Sequence, residues 1–222
     1  MGAAERPEQG ECAELLERAL GYALCSARTV TPALLSRATP CAGWDLGMLL
    51  RHANDSLAAL HEGLADGLVR TLPGPDAPDD PAGAFRAGVS RLLGACAAGS
   101  GGAGGGVGGG SGAGGGSGGN GGSGGSGAGG RLVLVGDLPL ATAMVARTGA
   151  LEIAVHGWDI ARAAGLPRPI PAPLAVELLR AARQLVPAPE VRAPLFGPPV
   201  TVPAGADPGE RLVAFLGRDP QW

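Results

Sequence analysis

Residues 151–163 read LEIAVHGWDIARA, and the fold turns on how this stretch is read. Most of its side chains are apolar, yet a carboxylate and an imidazole, Glu152 and His156, stand four residues apart. A helix turns about 100 degrees per residue, so both side chains leave the same face. Placing such a pair among Leu151, Ile153, Ala154 and Val155 is costly unless something satisfies it. A divalent cation does so, and bundles build cation sites of this kind from facing helices.

Outward from this stretch, the helix is expected to run from Leu138 to Ala164, with Met144, Val145, Leu151, Ile153 and Val155, and to stop at Gly165 ahead of Pro167. Gly149 and Gly157 each weaken it by about 1 kcal/mol relative to Ala, so they should serve close packing or ligand approach. Arg131 to Val135 reads as a short strand ending at Gly136-Asp137. Near the start, Gln9 to Val30 repeats Leu15, Leu16, Ala19, Leu20, Ala23 and Leu24 at helical spacing, with acids in its first turns. Thr39 to Asp45 forms a turn into a second helix, Leu46 to Leu68, which Asp45 can cap. A third helix begins at Pro81 behind Asp79 or Asp80 and carries Phe85, Val89, Leu92 and Leu93. Beyond the proline-rich Pro167 to Pro173, short helices are expected over Leu174 to Leu185 and over Pro208 to Leu216, the latter capped by Asp207. The expected fold is mainly α: a four-helix bundle over residues 9–165 with a short strand element. A Pro-rich C-terminal extension with one or two short helices covers residues 166–222.

One tract stands apart. From Gly99 to Gly130, 22 of 32 residues are Gly, more than half of the 41 in the chain. Such a composition buries too little apolar surface to offset its ordering entropy, so it reads as a flexible, disordered surface loop interrupting the bundle. Phosphate-cradling glycine loops are short and feed a strand–helix turn, which this tract does not resemble.

The formal net charge of −3 over 222 residues gives no electrostatic reason to expect nucleic acid. All 17 basic residues are Arg. Four cysteines occur without a CxxC pair, which removes a zinc ribbon and a thioredoxin-type site. They read as small core or surface residues, with Cys41 the one to watch. Met1 to Glu11 is polar and acidic, and no apolar run approaches the roughly 20 residues of a membrane span. A cytoplasmic protein with reduced thiols and no membrane partner is expected.

His52 is the natural third ligand for a cation at Glu152 and His156. Leu49 and Met48 precede it by three and four residues, so it should point at the interior. Two His and one Glu with an open fourth position match a catalytic zinc site more closely than a closed structural one. The bland reading is a trio that is merely hydrogen-bonded in a core. His61, nine residues after His52, should face away into solvent.

Two stretches carry a family resemblance. TPCAGWDLGMLLRH, Thr39 to His52, resembles the "TPC-x-GW…L-x-H" segment of mycothiol-dependent maleylpyruvate isomerases. EIAVHGWDIARA, Glu152 to Ala163, resembles their "E-x-x-x-HGWD-x-AR-A" segment, and Phe196 to Pro220 is similar to the tail of one uncharacterised branch. The wider group is the DinB-like bundle superfamily, whose metal triad falls on His52, Glu152 and His156. The resemblance implies zinc, or another divalent metal, and mycothiol as thiol cosubstrate, in a transferase or isomerase acting on a small electrophile. It implies that metal would bind the thiol's sulfur as thiolate. Asp159 could orient His156 or reach the site through water. Trp44 and Trp158 could wall the pocket, and Arg51 and Arg162 could pair with a substrate carboxylate. A metal-binding sensor or scaffold without catalysis is the alternative. The Gly tract and the short, Pro-rich C-terminal part depart from the pattern, and the arginines that would bind maleylpyruvate have no counterparts that can be placed. The metal site carries over; the substrate does not.

Overall fold

A computed structural model describes residues 5–70, 78–101, 132–186, 192 and 196–222. The chain is mainly helical with a small three-stranded sheet: α1 (Glu5–Ala27), a 3-10 turn (Pro32–Leu34), α2 (Leu46–Asp66), β1 (Leu68–Val69), α3 (Pro81–Gly101), β2 (Leu132–Val135), β3 (Leu138–Ala141), α4 (Thr142–Ala163), α5 (Ala172–Leu185) and α6 (Pro208–Phe215). Helix α4 lies against α1 and α2, and α3 closes the other side against the same two. One apolar core fills the space between them, with Leu16, Leu20, Leu49, Leu50, Phe85, Leu92, Ile153 and Ile160 almost wholly buried.

Local chemistry sets the helix ends. The Asp45 carboxylate accepts from the Met48 N–H at 2.7 Å, satisfying an orphan donor of the first turn of α2. Asp80 does the same for Gly83 at 2.8 Å ahead of α3. Helix α2 stops at Asp66, two residues earlier than its apolar pattern predicts. Gly67 takes φ +72°, and its carbonyl turns to accept from Leu134 in the sheet.

Helix α4 begins at Thr142, not Leu138. Residues Leu138–Ala141 instead pair antiparallel with Leu132–Val135 across the two-residue turn Gly136-Asp137, where Gly136 has φ +59°. This hairpin brings Pro139 onto an edge strand, which tolerates a residue without an N–H. The two-residue strand β1, absent from the sequence reading, pairs parallel with β2.

Gly149 and Gly157 do serve close packing. A Cβ on Gly157 would stand 2.9 Å from the Ala23 Cα of α1, and one on Gly149 would strike the Leu60 side chain of α2. The C-terminal part packs onto the rest: α5 touches α4 and α1, and α6 rests on α5. Helix α3 continues to Gly101, so it takes up the first residues of the Gly-rich tract. The remainder of the expected loop lies outside the described residues. No helix among the described residues is long and apolar enough to cross a membrane.

Candidate metal centre

Helices α2 and α4 bring the three expected ligands together. His52 Nε2 stands 2.7 Å from Glu152 Oε1, and His156 Nε2 stands 3.1 Å from the same oxygen. One ligating atom from each of the three residues falls within 4.8 Å of the others. Donors about 2.0–2.2 Å from a tetrahedral zinc ion lie about 3.3–3.6 Å from one another, and the two separations from Glu152 Oε1, 2.7 and 3.1 Å, fall slightly short of that spacing. The two imidazole rings meet edge to face with centroids 5.1 Å apart. Ser56 Oγ also donates to Glu152 Oε1, at 3.2 Å.

His52 is less interior than its neighbours suggested. Its side chain is 40% exposed and that of Glu152 34%, while His156 is 8% exposed. Met48, one turn before His52, is itself exposed. The first turns of α2 bury Leu46, Leu49 and Leu50 in the core, while Met48 and His52 form a half-exposed edge. Trp44 stands at it, its ring 5.0 Å from that of His52. The loop holding Trp44 is tightly tied: the buried Thr39 donates its hydroxyl to the Trp44 carbonyl at 2.9 Å, and Arg37 reaches the Ala163 carbonyl at the end of α4.

Behind His156 lies a second cluster. His156 Nδ1 is 3.0 Å from Asp159 Oδ2, and the same oxygen accepts from the Cys41 thiol at 3.2 Å and from Arg218 at 3.2 Å. Asp159 is completely buried. A carboxylate that receives the far ring nitrogen fixes the imidazole orientation and leaves Nε2 for the ligand side, the usual support for a metal-binding histidine. Cys41, His156 and Asp159 also lie close enough to hold a cation. The guanidinium of Arg218 already supplies a positive charge there.

The electrostatics follow from this arrangement. Burial pushes the Glu152 carboxyl up, but hydrogen bonds with His156 and His52 outweigh it and hold the group well below the ordinary carboxylate range. Burial would lower His156, yet its bonds to Asp159, Cys41 and Glu152 hold it well above the ordinary imidazole value. Asp159 is lowered against its own burial by His156 and Arg218. These shifts share one cause: His156 lies between two carboxylates, surroundings that favour positive charge.

The remaining sequence candidates separate. Trp158 is buried beneath the guanidinium of Arg162, 5.4 Å from its ring centroid. Arg162 donates to the carbonyls of Pro220 and Trp222, so its hydrogen bonds go to the chain itself. Arg51 is exposed, as is His61. Arg218, not among the sequence candidates, comes from beyond α6, 59 residues from Asp159.

No protein family matches the chain, and no solved structure does. Two uncharacterized proteins from two strains of Mycobacterium tuberculosis are 37% identical to it over 86 residues. That stretch is 38% of this chain and 46% of each relative, so the chain spans about half the length of the relatives it matches.

Proposed function

We propose that this chain holds one divalent metal ion, zinc, between His52, Glu152 and His156 in a DinB-like four-helix bundle. It would use that ion in a transferase or isomerase reaction with a small electrophile and a low-molecular-weight thiol, mycothiol. The observation that carries the reading is the convergence of two imidazole Nε2 atoms and one carboxylate oxygen within 4.8 Å, from two separate helices. The ring of α1, α4, α2 and α3 around one core supports the bundle, and both motif segments of the resemblance end at the same site.

When bound, zinc would lower the pKa of a thiol so that it reacts as thiolate near neutral pH. The chain's own residues do the rest. Glu152 and the two histidines present their donors toward one point, Asp159 keeps His156 turned so that Nε2 faces it, and Trp44 flanks the open side. The half-exposed His52–Glu152 edge is where a thiol and an electrophile would enter.

The test has two steps. Purified wild type should carry about one equivalent of zinc, and His156→Ala should lose it. Adding mycothiol to cobalt-substituted protein should then produce a new sulfur-to-cobalt absorption band. No spectral change at millimolar thiol would overturn the thiol chemistry while leaving the metal site standing.

The bonds of Arg162 to backbone carbonyls favour a second reading, a metal-binding sensor or scaffold without catalysis, because they remove an arginine offered to a substrate carboxylate. That reading predicts a metal-dependent rise in melting temperature and no turnover of thiol adducts.

A further inference from the structure

The site has a built-in cation on its far side. Arg218 stands just past α6, where Gly217 takes φ +85° and passes so close to Gly197 that a Cβ would lie 2.9 Å from its backbone. The Arg218 N–H is tied to the Val213 carbonyl at 2.9 Å, and its Nη1 donates to the Leu216 carbonyl at 3.0 Å. Its Nη2 then reaches Asp159 Oδ2 at 3.2 Å and Cys41 Sγ at 3.4 Å. The Arg218 side chain is 12% exposed and that of Asp159 0%.

Charge balance gives this contact a purpose. Two groups meet Asp159 Oδ2 from different sides, His156 Nδ1 and the guanidinium of Arg218. Of the two, the guanidinium carries a fixed positive charge whatever His156 Nε2 binds. The carboxylate is fully buried, and a buried charge without a partner is strongly unfavourable. Arg218 is a permanent counter-charge beside this buried carboxylate. Its guanidinium also fixes the oxygen that meets His156 Nδ1, since both groups share Oδ2.

We infer that Arg218 is a positioning residue of the metal centre: through Asp159 it holds His156 turned with Nε2 toward the ion and neutralises the carboxylate behind it. This role rests on the metal reading above. It also explains why the C-terminal part packs against α4 rather than trailing from it. The tail completes the back wall of a site whose front is built by α2 and α4.

Cobalt(II) titration of the full chain, followed by its visible absorption, tests this in five proteins: wild type, Arg218→Met, Arg218→Lys, Asp159→Asn and the double variant Asp159→Asn with Arg218→Met. Arg218→Met should weaken cobalt binding by about 10- to 100-fold, the cost usual for a group that supports a ligating histidine. Arg218→Lys, which keeps the charge, should recover most of that loss. In the Asp159→Asn background, removing the guanidinium should change affinity by no more than about twofold, because the pair acts as a unit. Should Arg218→Met not fold, Arg218→Gln takes its place with the same expected loss. Equal losses in both backgrounds, or cobalt binding by Arg218→Met as tight as wild type, would overturn the role of Arg218 alone. A wild type that binds no cobalt would overturn the metal reading and this role together.

Discussion

Helix α4 presents two different faces within one and a half turns. Toward α1 it offers Gly157, whose missing side chain lets Ala23 and Tyr22 come into direct contact with its backbone. Toward α2 it offers Glu152, which meets His52 and Ser56 through polar atoms at a half-open edge, and His156, whose ring meets that of His52 edge to face. The first face is dry, close and stabilising. The second gathers groups whose burial is unfavourable unless a proton or a cation joins them. The contrast teaches that stability and chemistry are carried by different sides of the same helix, so substitutions should separate them.

The sharpest separation is expected at His52. Its side chain is 40% exposed, so His52→Ala should change the unfolding free energy of metal-free protein by less than about 1 kcal/mol. Zinc affinity should fall by more than about 100-fold, beyond the 10- to 100-fold that disturbing a supporting group costs. Competition titration with a chelator and urea unfolding measure the two effects; equal zinc affinity in the variant breaks the contrast.

Gly157→Ala should do the opposite. The new methyl meets backbone on α1, which cannot rotate away, so overpacking should destabilise by about 2 kcal/mol despite the better helix propensity of Ala. Urea unfolding should show this loss, with zinc still bound at one equivalent. A more stable variant would mean that α1 and α4 are not held as closely as described.

The smallest effect is expected at Tyr22, on the same dry face. Its hydroxyl donates to the Arg168 carbonyl at 2.8 Å, and burial pushes its pKa up. A raised folded pKa means the stabilisation is fully present below the unfolded value, about pH 10, and is lost as pH rises through the folded one. Tyr22→Phe should cost about 1 kcal/mol at neutral pH and should flatten the alkaline fall in stability. A pH series of melting temperatures that falls as steeply in the variant would contradict this origin.

Much of the fold was legible because its signals are local. Asp45 and Asp80 announce helix starts by their side-chain acceptors, and the spacing of Glu152 and His156 places both on one face whatever else the chain does. Strand β3 is hidden in the sequence because Leu138 to Ala141 has leucines and an alanine that suit a helix. Only the Gly136-Asp137 turn, together with the pairing to Leu132–Val135, overrules that preference. The depth of His52 is not legible from its neighbours, because Leu49 and Leu50 are fully buried while Met48, on the His52 side of the helix, is exposed. Arg218 could not be reached from spacing at all. Its contact with Asp159 depends on the fold of the C-terminal part and on the turn at Gly217.

Two clusters compete for any cation near His156, one with nitrogen and oxygen donors in front and one with a cysteine sulfur behind. X-ray absorption at the zinc edge, on zinc-loaded wild type without added thiol, distinguishes them directly. The arrangement of His52, Glu152 and His156 predicts a shell of nitrogen and oxygen at about 2.0–2.2 Å with the outer scattering of two imidazoles. A sulfur neighbour at about 2.3 Å would place the ion beside Cys41 instead and contradict the site as described.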